Sequence, residues 1–253
     1  MLSDLVGRLS VVSSLARGTA ARRYHVYLVT SDHHRAQAKA LHAKAYLAKG
    51  FIHDHQIDEA GLISQDADPC QLHAAYFIVC DVLAGDDSVG ATARQISADP
   101  IKGLGSLPIL EKAHIENRYR EHLRQYRPAE IVEFSGLAKA KGTPTAATFL
   151  LYQAMWSYSK RQQHKVWLMA LDPSLYRQLK RFVGPVFTQI GGLTDYTGGA
   201  VIPAMVDIAQ AEPQLARFAA SLPPPRRYIY RAVVRFFMAD VPVAASAPAA
   251  ADS

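Results

Sequence analysis

The spacing of hydrophobic and polar positions changes period repeatedly along the 253 residues, and each change marks an element. Residues 23–29 alternate and are rich in β-formers, which predicts a strand. Ser31 or Asp32 is placed to cap a helix over residues 33–49, and Gly50 stops it. Residues 74–82 hold the unbroken run Tyr76-Phe77-Ile78-Val79 and predict a buried strand. A Gly/Asp turn at 84–88 returns the chain into an antiparallel partner at 89–96. Between Pro108 and Pro128 the pattern predicts one charged helix, 109–126. Residues 130–137 form the next strand. Gly142, Thr143 and Pro144 then turn into a long helix that runs to about residue 163. Residues 166–171 are a short apolar strand, and Asp172-Pro173 opens a helix through Phe182. Strands at 186–190 and 200–208 are separated by a loop at 191–199, and helices are predicted at 213–222 and 226–238. The alternation of helices and strands predicts an α/β sandwich.

The two ends differ from this middle. Leu2, Leu5, Val6, Leu9, Val12 and Leu15 form one stripe, with Asp4, Arg8, Ser13 and Arg17 off it, so residues 1–20 predict an amphipathic helix. It has three available roles: packing on the domain's own core, contact with a membrane or partner, or a presequence. Residues 241–253 are rich in Ala, Pro and Ser and predict a disordered tail. The expected organisation is a helix at 1–20, a main α/β domain at 21–210, two closing helices at 211–240 and the tail.

Composition narrows the class. A hydrophobic share of 49% and a charged share of 20% are ordinary for a globular protein with a real core. The net charge of +6 favours an acidic partner: nucleic acid, an anionic membrane, a phosphorylated ligand or an acidic carrier protein. Cys70 and Cys80 have neither metal-ligand spacing nor a disulfide framework, so a reduced, cytoplasmic setting is expected. No apolar run approaches the ~20 residues that cross a bilayer.

The candidate chemistry lies between Glu130 and Leu171. A helix that starts after a glycine turn leaves backbone N–H groups free to meet a phosphate or a polarised carbonyl. Gly142, Thr143 and Thr145 stand at that turn, flanked by Lys139 and Lys141. Helix caps in a solvated loop explain the same residues. Glu133 is more specific. It sits in an apolar strand, on one face with Ile131 and Ser135. A carboxylate there is costly unless it is paired or lines a cleft. Lining a cleft, it is a general base with a raised pKa; paired, it is the partner of an arginine such as Arg94.

Several short motifs follow one another in a telling order: Tyr46…Gly50-Phe51-Ile52, Tyr76-Phe77-Ile78-Val79, Val89-Gly90-Ala91-Thr92-Ala93-Arg94, Leu107-Pro108, and Glu130-Ile-Val-Glu133-Phe-Ser135-Gly-Leu137-Ala138. Asp172-Pro173…Tyr176 and Phe182-Val183-Gly184 complete the series. From Tyr24 to Ile208 the chain resembles the N-acyl amino acid synthases, relatives of the acyl-homoserine-lactone autoinducer synthases in the N-acetyltransferase-like superfamily. The resemblance implies a three-layer sandwich whose mixed, mostly antiparallel sheet is splayed between its middle strands, 130–137 and 166–171. The donor's pantetheine arm would enter that V.

By resemblance the donor is a long-chain acyl group on acyl carrier protein and the acceptor an amino acid or similar small amine. Glu133 is then the base or substrate-orienting group, Arg94 supports the site or pairs with Glu133, and Tyr176 protonates the leaving thiolate or is simply a packed aromatic. Backbone N–H groups near Leu137 and Ala138 would polarise the thioester carbonyl. Two departures matter. Gly136 stands where the family commonly has an arginine, and the coenzyme A signature is missing before the long helix, which favours a carrier-protein donor over acyl-coenzyme A. Lys139, Lys141, Lys160, Arg161 and Lys165 offer a basic dock for an acidic carrier, or solvated helix ends.

Other signals are weaker. His33-His34 and His53-x-His55 lack ligand spacing, so no metal or bound cofactor is expected. No Gly-x-Ser-x-Gly elbow is present. Arginines and aromatics interleave from Arg226 to Phe237, which suits a membrane surface, a nucleic acid or an amphipathic helix packed on the domain; nucleic acid is not expected as a partner, whereas peripheral membrane contact is compatible with the pattern. Two readings remain: an N-acyltransferase, or a non-catalytic binding protein of the same fold for a carrier protein, lipid or membrane.

Overall fold

The computed structural model describes residues 23–83, 88–196 and 198–245. The stripe expected over 1–20, turn residues 84–87 and the tail beyond 245 lie outside them.

Among the described residues, nine strands form one open sheet: β1 (Tyr24–Leu28), β2 (Ala74–Asp81), β3 (Val89–Ser97), β4 (Ile131–Lys139), β5 (Val166–Leu171), β6 (Thr188–Gln189), β7 (Thr194–Tyr196), β8 (Gly199–Asp207) and β9 (Ala244–Ala245). Their order is β6-β8-β5-β4-β3-β2-β1-β9, with β7 paired to β8. Only β4–β5 and β1–β9 are parallel. The sheet is thus mixed and mostly antiparallel, as expected. The helices are α1 (Asp32–Ala48), α2 (Pro108–Lys112), α3 (Asn117–Leu123), α4 (Thr145–Arg161), α5 (Pro173–Val183), α6 (Ile208–Ser221) and α7 (Pro224–Met238).

Strand alternation divides the core in two. Val132 and Phe134 of β4 pack with α4, α6 and α7. Ile131 points the other way, into a cluster with Ile109, Leu110 and Leu123 from α2 and α3. Helix α1 lies on that second face. Ser31 caps it, its Oγ accepting from the His34 N–H at 3.3 Å. Its sheet-facing residues recur every four positions, His34, Ala38 and His42, with small Ala38 fully buried. In α4, Gln153, Ser157 and Arg161 repeat at the same interval and tie down the last turn of α7 and the chain after it. Gln153 donates to the Phe236 carbonyl, Ser157 bonds Ala239 and Val241, and Arg161 bonds Asp240.

Four expectations are corrected. The segment 109–126 is two short helices, because residues 113–116 extend to meet the sheet edge, where the Glu116 N–H donates to the Ile190 carbonyl at 3.0 Å. The loop at 191–199 contains strand β7, which makes a hairpin with β8. Helix α6 begins at Ile208, capped by Asp207, and carries Pro213 inside it rather than at its start. Within the expected tail, Ala244–Ala245 pairs in parallel with β1.

Candidate active site

The site begins with a fault in a strand. Against β3, residue Thr92 faces Ala138 and Arg94 faces Ser135, so Gly136 and Leu137 together oppose Ala93. The extra residue is a β-bulge, which bends the strand that holds it. Gly136 has φ +64°, a left-handed conformation that glycine adopts without strain. A side chain there would also meet Arg94, since a Cβ would stand 3.2 Å from Arg94 Cγ. This is the local reason for glycine where the resemblance leads one to expect arginine.

Just before the bulge β4 leaves β5. The two strands pair over Ile131–Phe134 and Val166–Met169 and no further. A cavity of about 190 Å³ passes through the opening, lined by Glu133 to Leu137 on one side and Met169 to Asp172 on the other. Its two ends differ. On the α1 face it meets Tyr46, Glu133, Ser135 and Tyr196, with Lys49 and Phe51 beside them. On the opposite face it runs among Phe149, Tyr152, Trp156 and Leu175 to Val233, Phe237 and Met238 of α7. That end is walled by aromatic and aliphatic side chains from α4, α5, α6 and α7.

Glu133 is 1% exposed. One carboxylate oxygen accepts from the Ile109 N–H at 2.8 Å and the other from the Tyr196 hydroxyl at 3.3 Å. Ile109 lies in the first turn of α2, whose own N-cap residue, Leu107, offers no side chain, so Glu133 satisfies a free helix donor. Burial pushes the Glu133 carboxyl up to about 7, against the opposing pull of the Ile109 N–H, Arg94 and Tyr196. Burial and the nearby Glu133 charge raise the Tyr196 phenol, which stays protonated as a donor. Tyr46 continues the His34, Ala38, His42 spacing by one more turn and lies beside Ser135 and Gly136, its phenol raised by burial.

Arg94 is 5% exposed and does not pair with Glu133. Its guanidinium forms an ion pair with Asp68, adds a bond to the Tyr76 hydroxyl at 3.3 Å and lies over the Tyr76 ring. It therefore stands behind the bulge and acts on the glutamate through space. Burial, helped by the Arg94 charge, lowers the His42 imidazole to about 3, so a neutral histidine adjoins this cation.

Of the residues picked from sequence, Glu133, Ser135 and Leu137 line the cavity. Ala138, Gly142, Thr143 and Thr145 do not. Helix α4 follows Pro144 with no side-chain cap, and Thr143 instead packs against Gly90. Tyr176 is buried beside the lining rather than in it, with its hydroxyl 3.5 Å from Lys180 Nζ. The five cations expected to form one dock are split: Lys139 and Lys141 precede α4, whereas Lys160 and Arg161 end it and Lys165 follows, roughly 25 Å away along the helix. Sequence reasoning missed Tyr46 and Tyr196 as site residues. The first shows in the four-residue spacing of α1, and the second follows from the hairpin signal Gly198-Gly199. Gly198, at φ +80°, brings that hairpin against the end of α1, where a Cβ would lie 2.7 Å from the Gly50 carbonyl.

No helix among the described residues is long and apolar enough to cross a membrane. No protein-family model matches the sequence, and no curated protein matches it. Solved structures do. FeeM, an N-acyl amino acid synthase from uncultured soil microbes, aligns over 78% of this chain and 98% of its own, at 18% identity and a TM-score of 0.57. The acyl-homoserine-lactone synthase LasI aligns over 73% of this chain and 90% of its own, at 14% identity and a TM-score of 0.53. BjaI, a coenzyme A-dependent acyl-homoserine lactone synthase, aligns over 83% and 98%, at 13% identity and a TM-score of 0.53. The chain therefore shares the fold of the N-acyl amino acid synthase FeeM and the acyl-homoserine-lactone synthases LasI and BjaI.

Proposed function

We propose that this protein is an N-acyltransferase that moves a long-chain acyl group from a phosphopantetheine thioester to the amine of an amino acid or similar small molecule. The observation that carries this reading is the cavity through the β4–β5 opening, with a buried acid at one end and an apolar channel at the other. The acyl chain lies in the channel toward α7, the thioester lies in the opening, and the acceptor meets Glu133. Glu133, with a pKa near 7, removes one proton from the ammonium. The free amine attacks the carbonyl, the tetrahedral intermediate expels the thiolate, and the second nitrogen proton ends on that sulfur. Main-chain groups of β4 past Phe134, which have no partner in β5, are the candidates for holding the developing oxyanion. No acyl-enzyme is needed, since neither Cys70 nor Cys80 lines the cavity.

The favoured donor is acyl carrier protein, docked on Lys139 and Lys141 just past the cavity-lining part of β4; BjaI, a coenzyme A-dependent synthase of the same fold, keeps acyl-coenzyme A as the alternative. Incubation with each acyl thioester and a pool of amino acids, read by mass spectrometry, tests the reading. N-acyl product with stoichiometric thiol release is expected; neither product nor thiol from either donor would overturn it.

A further inference from the structure

The positive charge is not spread over the molecule. Helix α5 carries Arg177, Lys180 and Arg181, helix α7 carries Arg226, Arg227, Arg231 and Arg235, and neither helix contains a carboxylate. These seven cations exceed the net charge of +6, so the rest of the chain sums to −1. Among the described residues none of the seven pairs with an Asp or Glu. Arg177 and Arg227 bond only backbone carbonyls, of Pro173 and Leu222, and Lys180 reaches the Tyr176 hydroxyl. The acids that flank the two helices are engaged elsewhere: Asp172 caps α5 and Asp240 holds Arg161.

Helix α6 joins the two: Gly184, which ends α5, lies so close that a Cβ there would stand 2.6 Å from Phe218 of α6 and 3.0 Å from the Tyr230 hydroxyl of α7. On α7 the arginines at 227, 231 and 235 recur every four residues and so share a face. Tyr228 stands 74% exposed among them. The opposite side of the same helix, including Val233 and Phe237, walls the apolar end of the cavity.

We propose that the outer face of α5 and α7 binds an anionic lipid surface. Acid-free rows of arginine complement anionic headgroups, and an exposed tyrosine among them suits the interface between water and lipid. A carrier protein is also acidic, but its pantetheine arm must enter at the β4–β5 opening, whereas α7 covers the far end of the channel. If the reaction proposed above holds, the surface sets the channel's apolar end against a bilayer, where an acylated product is soluble.

Co-sedimentation with phosphatidylcholine vesicles, with and without phosphatidylserine as about a third of the lipid, tests the surface without requiring turnover. Binding is expected only to the anionic vesicles, weakening as salt rises. The triple variant R227Q/R231Q/R235Q is expected to bind about a hundredfold more weakly, with turnover on soluble donors unchanged. Failure of the intact protein to bind, or equal binding by the variant, would overturn the proposal. So would a variant that raises KM for acyl carrier protein while vesicle binding stays constant, since the face would then belong to the carrier. Vesicle binding by a protein that transfers no acyl group supports the lipid surface and counts only against the reaction.

Discussion

The first four residues of β4 and the five that follow face the same neighbour and behave differently. Ile131–Phe134 is paired to β5 throughout and, from Val132 on, to β3 as well, and all four residues are buried. Residues 135–139 keep only the β3 partner and carry the bulge at Gly136, and Ser135–Leu137 among them line a cavity. The comparison teaches how a stable sheet gains a site. The paired half supplies the apolar packing that holds the strand in place, and one left-handed glycine turns the rest of it away from β5. Glu133 sits at the boundary, rigid because its half is paired and reachable because the next residues are not.

The largest effect is expected where the two halves meet. Glu133→Gln keeps the shape and both hydrogen bonds, with the amide oxygen accepting from Ile109 and the amide nitrogen donating to Tyr196. Turnover should fall by about 10²–10⁴ with donor affinity retained, as read by steady-state kinetics and calorimetry. Unchanged turnover removes Glu133 from the mechanism. The same variant has a stability signature. The folded pKa of Glu133, about 7, lies above its ordinary 4.5. Its contribution is therefore full below about pH 4.5 and is lost as pH rises through 7. Melting curves of the variant and parent should agree near pH 5, and the variant should melt higher at pH 8.

Next comes the ion pair behind the bulge. Asp68→Asn leaves the buried Arg94 charge without its partner and should cost about 3–5 kcal/mol by denaturant titration. Gly136→Ala is smaller. It forces alanine into φ +64° against Arg94 and should cost about 1–2 kcal/mol. If the opening depends on the bulge, this variant also loses activity at temperatures where it remains folded. The smallest effect is expected from Tyr196→Phe, which removes a hydrogen bond that favours ionised Glu133. The rise of kcat/KM with pH, centred near 7 in the parent, should move to higher pH, with most of the loss recovered at pH 8.5.

The paired half was the more legible in sequence. Glu133 stands out as the one acid between apolar neighbours in its strand, and residues 166–171 are bounded as the pattern predicted. The open half was less so, because its geometry depends on long-range contacts. Gly136 reads only as a departure until Arg94 is seen packed against it. The predicted helix 109–126 failed for the same reason: local pattern favours a helix through His114, but Gly191 passes so close to the His114 carbonyl that only glycine fits. The basic residues from Lys139 to Lys165 are neighbours in sequence but are divided in space between the two ends of a 17-residue helix.

The central claim is that the thioester lies where β4 and β5 part. A crystal structure with a non-transferable acyl-pantetheine thioether tests it most directly. The account predicts the linker between Ser135–Leu137 and Met169–Leu171, the chain directed toward Phe237, and space for an amine between the donor carbon and Glu133. A donor bound elsewhere on the molecule, with β4 and β5 closed over that position, would contradict it.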